Sequence, residues 1–174
     1  VTTVSETYSH EIRYAYFAHG LHDILSSQSY KLSGIVNGID TKIYDPSKAM
    51  FPFKPSDLSG KLKTKKALLE RLGLDNDSSA PLIIMISRLA EHKGFELLQY
   101  IGEEMINSTN IRLAVLGTGE KKYEDYVNYL AYIFPGRVSA NIMFDTGLAD
   151  FMYAGADFLL MPSKSEPCGL SQLI

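Results

Sequence analysis

The side chains able to do chemistry gather in three short polar stretches. Residues 163–173, Ser-Lys-Ser-Glu-Pro-Cys-Gly-Leu-Ser-Gln-Leu, hold one carboxylate, Glu166, followed by Cys168 and by Gly169, Leu170 and Ser171. The apolar run Phe158-Leu159-Leu160-Met161 before them reads as a buried strand, and Gly169 reads as the opening of a helix. A strand, a tight loop and a helix start leave unpaired N–H groups and the positive end of the helix dipole facing outward. That is an anion site, and a carboxylate beside it suits sugar hydroxyls. A capped turn with a solvated glutamate fits the same residues. In the second stretch, residues 87–94, Arg88 and Lys93 stand five positions apart between an apolar run and a helical pattern. A departing nucleoside diphosphate calls for such a pair, because arginine grips two oxygens with its fork and lysine adds a compact charge. An ordinary charged surface turn has this spacing too. The third, Gly117-Thr118-Gly119, is a tight loop where a ligand could approach the backbone at Gly117.

Other chemistries fit poorly. The Gly-Thr-Gly stretch lacks the third glycine of a dinucleotide fingerprint, which argues against a nicotinamide cofactor. His10, His19, His22 and His92 have no zinc spacing with the single cysteine, so no metal is expected. Cys168 has no histidine near it in sequence and reads as a small packed thiol rather than a nucleophile. The sequons Asn76-Asp77-Ser78 and Asn107-Ser108-Thr109 are read as chance matches.

The elements that must position these residues follow from periodicity. Strands are expected at 82–87, 111–116, 142–144 and 158–161, with helices at 61–72, 95–106, 121–134 and 148–154 between them. Strands alternating with helices of this length give βαβ units, a parallel sheet and an α/β fold. The cation turn, the glycine loop, residues 145–147 and residues 163–168 then all follow carboxyl ends of strands, where ligands bind in such sheets. Toward the start, 1–5 and 31–36 read as strands and 8–16 and 18–29 as short helices, with a turn at Asn37-Gly38. Residues 40–59 are proline-rich and aperiodic, a boundary or a long ordered loop. The lysines of 61–72 read as a solvated face, and Gly73 as the residue that ends that helix.

Length and charge bound the rest. The chain has 174 residues, 45% hydrophobic and 21% charged, enough for a sizeable core. A net charge of −3 leaves no broad nucleic-acid surface, so anions must be held by a few placed cations. No apolar run approaches the roughly 20 residues of a membrane helix. One cysteine suits a reducing compartment. No leader peptide is visible, and the chain reads as a part of something longer.

With these pieces placed, nearly the whole chain resembles glycosyltransferase family 5, the bacterial glycogen synthases and plant starch synthases. The resemblance rests on Thr3-Val4-Ser5-Glu6-Thr7-Tyr8, with Glu6 where the family carries proline, and on Leu32-Ser33-Gly34-Ile35-Val36-Asn37-Gly38-Ile39-Asp40. It continues through Ser87-Arg88-Leu89 with Lys93-Gly94, where His92 replaces glutamine, and through Tyr153-Ala154-Gly155-Ala156-Asp157. The most specific match is Pro162-Ser163 with Glu166-Pro167-Cys168-Gly169-Leu170-Ser171-Gln172-Leu173.

The resemblance implies a GT-B glycosyltransferase, with Rossmann-like parallel sheets and flanking helices and an active site between two domains. Residues 1–30 would end the N-terminal, acceptor-side domain. Residues 31–60 would form the inter-domain crossing, and 61–174 the first half of the C-terminal, nucleotide-sugar-binding domain. The implied reaction moves glucose from ADP-glucose to the non-reducing end of an α-1,4-glucan with retention of configuration and no metal. By position, Arg88 and Lys93 would neutralise the departing diphosphate and Glu166 would hold the donor glucose. Backbone N–H groups from Cys168 through Gly169 and Leu170 to Ser171 would assist, Asn37 would match a family asparagine that supports activity, and Phe144 would pack on the base. The implied compartment is the bacterial cytoplasm, or the plastid if the source is a plant. This stretch by itself is expected to be inactive. Retaining GT-B transferases with two glutamates eight positions apart are disfavoured, because the residue eight after Glu166 is Ile174. A non-catalytic nucleotide- or glucan-binding module is the alternative of another class.

Overall fold

The computed structural model describes residues 1–174, and they form two compact units: Thr41–Lys164, and Val1–Asp40 together with Ser165–Ile174. The larger unit is built on a four-stranded parallel sheet. Its strands are β3 (Leu82–Ile86), β4 (Arg112–Leu116), β5 (Val138–Asn141) and β6 (Phe158–Leu159), in the order β5-β4-β3-β6. Strand β4 is buried at every position, as expected of a central strand covered on both faces. It pairs with β3 over five residues, from Leu82↔Arg112 to Ile86↔Leu116.

Alternation along these strands divides the core in two. Leu82, Ile84, Ala114 and Leu116 face helices α3 (Ser59–Arg71) and α6 (Thr146–Gly155). Met85, Leu113 and Val115 face α4 (Phe95–Ser108) and α5 (Lys121–Ile133). Leu68, Leu82 and Leu113 are fully buried, so truncating any of them to alanine should cost about 2–5 kcal/mol. Helices α3 and α6 touch closely at Gly155, where a Cβ would lie 2.9 Å from the Leu68 side chain. Gly73, with φ 66°, ends α3 as expected.

Two expectations shift. The strand placed at 142–144 lies earlier, at Val138–Asn141, with Ile142, Met143 and Phe144 in the loop beyond it. Ser139 and Asn141 break the apolar pattern, but an edge strand tolerates them, and Asn141 donates from Nδ2 to the carbonyl of Val115. The helix expected to open at Gly169 is a single 3-10 turn, Ser171–Leu173, closed by Leu173 N–H on Leu170 O. One turn fixes several dihedrals for one hydrogen bond, and the tighter i→i+3 bond is the one that forms.

The smaller unit contains the parallel pair β1 (Thr2–Thr3) and β2 (Ser33–Gly34) and the helices α1 (Glu6–Glu11) and α2 (His22–Ser27). Ser5 caps α1 by accepting from Tyr8 N–H at 2.9 Å, which starts the helix two residues before the apolar pattern suggests. Only Ser9, Ile12, Ala18 and Gly169 are buried in this unit. In the larger unit, residues 41–58 carry a 3-10 turn at Pro46–Lys48 and otherwise no helix or strand longer than an isolated bridge.

Candidate functional site

The carboxyl edge of the sheet is a set of interlocked loops. After β3 the chain runs through Arg88 into a 3-10 turn, Glu91–Lys93, and turns at Gly94 (φ 79°) into α4. A Cβ on Gly94 would lie 2.1 Å from the Pro162 carbonyl oxygen, so only glycine lets the loop after β6 approach so closely. Lys164 N–H donates to His92 O at 2.9 Å and fastens the same two loops. The loop after β4 locks on from the other side. Leu89 N–H donates to Thr118 O at 3.0 Å, and Glu120 N–H to Leu89 O at 2.7 Å. Gly117, at φ 150°, sits where a Cβ would meet Ser87 O at 1.9 Å, and its N–H donates to Asn141 O.

This scaffold brings Arg88, Lys93, Gly117 and Ser163 to one edge. Arg88 is exposed and its guanidinium has no carboxylate or carbonyl partner. Lys93 is half-buried, with its N–H on Ala90 O. Phe144 follows β5 on this edge and is 89% exposed. A flat apolar ring left in water on the ligand side of a sheet can stack on a nucleobase. Asn37, Glu166, Cys168, Gly169, Leu170 and Ser171 belong to the smaller unit. There Asn37 is exposed, Glu166 and Cys168 are half-buried, and Gly169 is buried. Where a helix start is expected beside these residues, the chain forms only the 3-10 turn at Ser171–Leu173.

Carboxylates line the cation turn, and sequence reasoning missed them. Glu120 Oε1 accepts from Glu91 N–H at 3.1 Å. That hydrogen bond, with Lys122 assisting, holds the Glu120 carboxyl below the usual range. Lys164 Nζ forms ion pairs with Glu96 and, at 3.4 Å, with Glu91. Glu96 above all raises the Lys164 ammonium above its ordinary value. The available signal was a cation two positions before Glu166 and two glutamates flanking Lys93.

The amino edge holds the opposite arrangement. Lys65, from the lysine run expected to be solvated, is 3% exposed. Its Nζ pairs with Asp157 at 2.6 Å and donates to Ser78 O and Ala80 O at 3.0 and 2.7 Å. Asp157 also accepts from Leu82 N–H at 2.8 Å. At the carboxyl edge, by contrast, Asp145 caps α6 by accepting from Leu148 N–H at 2.9 Å. No helix is long and apolar enough to cross a membrane.

No protein-family model matches the chain. Over its whole length it is 48% identical to a glycogen synthase of Streptococcus uberis and 47% identical to one of Clostridium novyi. The chain spans 37% of the length of each of these curated relatives. Among solved structures, the catalytic domain of starch synthase IV from Arabidopsis thaliana, bound to ADP and acarbose, matches 99% of this chain and 36% of that one. The TM-score is 0.89 and the identity 35%. The Rossmann-like, GT-B type of sheet and helices expected from the sequence is the fold this chain has.

Proposed function

We propose that this chain, a homologue along its whole length of bacterial glycogen synthases, is the donor-side portion of an α-1,4-glucan glucosyltransferase that uses ADP-glucose. In this reading 1–30 end the acceptor-side domain, 31–60 cross between domains and 61–174 begin the nucleotide-sugar domain of a protein working in the bacterial cytoplasm. The observation that carries it is identity of 48% across 100% of the chain, a span that takes in both the cation turn and the Glu-Pro-Cys-Gly loop.

The chemistry follows from charge. Breaking the bond between the anomeric carbon and the phosphate oxygen leaves the electron pair on the diphosphate and positive character on the sugar. Arg88, unpaired on the carboxyl edge, and Lys93 on the adjacent turn meet the diphosphate as its charge grows, the kind of preorganised electrostatics that lowers a barrier most. Phe144 packs on the base and the backbone at Gly117 lets the ligand approach. Glu166 accepts hydrogen bonds from glucose hydroxyls and favours the developing positive charge. Asn37 and the N–H groups of Cys168, Gly169, Leu170 and Ser171 complete the donor contacts.

Retention places the new bond on the face from which the phosphate leaves, so the departing phosphate oxygen is the base nearest the acceptor hydroxyl. A glycosyl-enzyme route uses a second carboxylate across the same bond. Asp145 and Asp157 are engaged as a helix cap and as the partner of Lys65. Glu166 is therefore a positioning carboxylate in this reading, and no metal takes part.

The test uses the full-length protein carrying this sequence, with radiolabelled ADP-glucose and glycogen, in buffer with and without EDTA. The expected result is label in the polymer, released by an exo-acting α-1,4-glucan hydrolase and undiminished by EDTA. Incorporation from UDP-glucose alone would overturn the choice of donor. Loss of activity on chelation would overturn the metal-free route, and ADP binding without transfer would favour a binding module.

A further inference from the structure

We propose that Lys164 is a positioning residue of the donor site, acting through Glu91 and Glu96 to hold the loop after β6 against the cation turn and to cancel their charge beside the diphosphate. The inference rests on the functional reading above. Three observations within the larger unit carry it. Lys164 Nζ pairs with both glutamates, one on the 3-10 turn that bears Lys93 and one in the first turn of α4. The Lys164 backbone N–H is already fixed to His92 O at 2.9 Å, so the side chain is anchored where it leaves the main chain. Gly94 presses on the Pro162 carbonyl two residues before Lys164, leaving these loops little room to slide.

Without Lys164, Glu91 and Glu96 would carry uncompensated charge on and beside the turn that bears Lys93. Two unit charges several ångströms from a diphosphate in partly screened surroundings oppose binding by a modest, measurable amount.

The experiment titrates ADP into the full-length protein and measures KM and kcat with ADP-glucose for wild type, K164M, K164R and K164M combined with E91Q and E96Q. For K164M the expected result is an ADP Kd and a donor KM raised by about five- to tenfold, with kcat within about twofold. K164R should match wild type within about twofold, and the triple variant should recover most of the lost ADP affinity, because the uncompensated carboxylates are gone. A triple variant no better than K164M would overturn the charge role. Unchanged ADP affinity in K164M, or loss of kcat with KM and Kd unmoved, would overturn the inference as a whole. Wild-type protein that binds ADP but transfers no glucose would sink the enzyme reading, while the ADP affinities would still decide the role of Lys164.

Discussion

The two edges of the parallel sheet treat their cations in opposite ways. At the amino edge Lys65 is buried against Asp157 and two carbonyls. Arg112, also buried, donates to Asn110 O at 3.1 Å, and Arg137 donates to Thr109 O at 2.7 Å and Ile111 O at 3.0 Å. These groups tie strand beginnings together, and Lys65 and Arg112 are buried. At the carboxyl edge Arg88 is exposed and unpaired, and Lys164 is held by side chains alone through its ammonium. A buried ion cannot change partners without leaving a charge unsatisfied, whereas an exposed one is available to an incoming anion. On the functional reading proposed above, stability belongs to one edge and chemistry to the other, and substitutions at each edge should register in different measurements.

The largest effect is expected at the amino edge. Lys65→Met in the full-length protein leaves Asp157 and two carbonyls without their partner and should cost about 3–5 kcal/mol of stability. Thermal denaturation reads this as a lowered Tm, while the protein still folded keeps its ADP affinity. A variant with normal Tm and weakened ADP binding would erase the distinction between the edges. Next is Glu166→Gln, expected to slow kcat by about 10²–10³, with Tm and ADP affinity close to wild type because the proposed reading gives the diphosphate to Arg88 and Lys93. A glucosyl adduct trapped on Glu166 and seen by mass spectrometry would replace positioning with covalent catalysis. Parallel loss of ADP binding and turnover would reduce Glu166 to a support of its loop.

Arg88→Ala should act at the carboxyl edge alone. Losing hydrogen bonds to a charged leaving group costs about 1.5–3 kcal/mol in kcat/KM, while removal of an exposed, unpaired side chain leaves stability within about 0.5 kcal/mol. Unchanged kcat/KM would mean that the cation turn is an ordinary charged surface.

The sequence makes the carboxyl edge easier to read than the amino edge. Strands β3 and β4 and helices α4, α5 and α6 are visible in apolar periodicity, and parallel topology alone places Arg88, Lys93 and Gly117 together. Strand β5 is misplaced by four residues because Ser139 and Asn141 interrupt its pattern, a cost the edge position hides. Lys65 is invisible for a different reason. Its neighbours Lys61, Lys63 and Lys66 make a basic run, and only tertiary contact with Ser78, Ala80 and Asp157 selects which lysine is buried. The ion pairs of Lys164 likewise join residues 68 and 73 positions apart, beyond any local signal. Glu166, Cys168 and Asn37 stand out through a motif match and not through periodicity, since their unit buries few apolar side chains.

The smallest effect belongs to Cys168, the chain's sole thiol. It lies two residues after Glu166, is half-buried, and makes no hydrogen bond. A nucleophilic cysteine needs a base within hydrogen-bond reach or a strongly positive surrounding to supply the thiolate, and no such partner contacts Cys168. Serine keeps nearly the same shape, so Cys168→Ser should leave kcat and ADP affinity within about threefold of wild type. Alkylation distinguishes place from chemistry. Iodoacetamide adds a carboxamidomethyl group to the half-buried sulfur, two residues from Glu166, and should inhibit wild type while sparing Cys168→Ser. Turnover lost in Cys168→Ser with ADP binding intact would mean that the sulfur itself takes part in transfer. Full activity in alkylated wild type would move this loop away from the donor sugar, and with it the role given to Glu166.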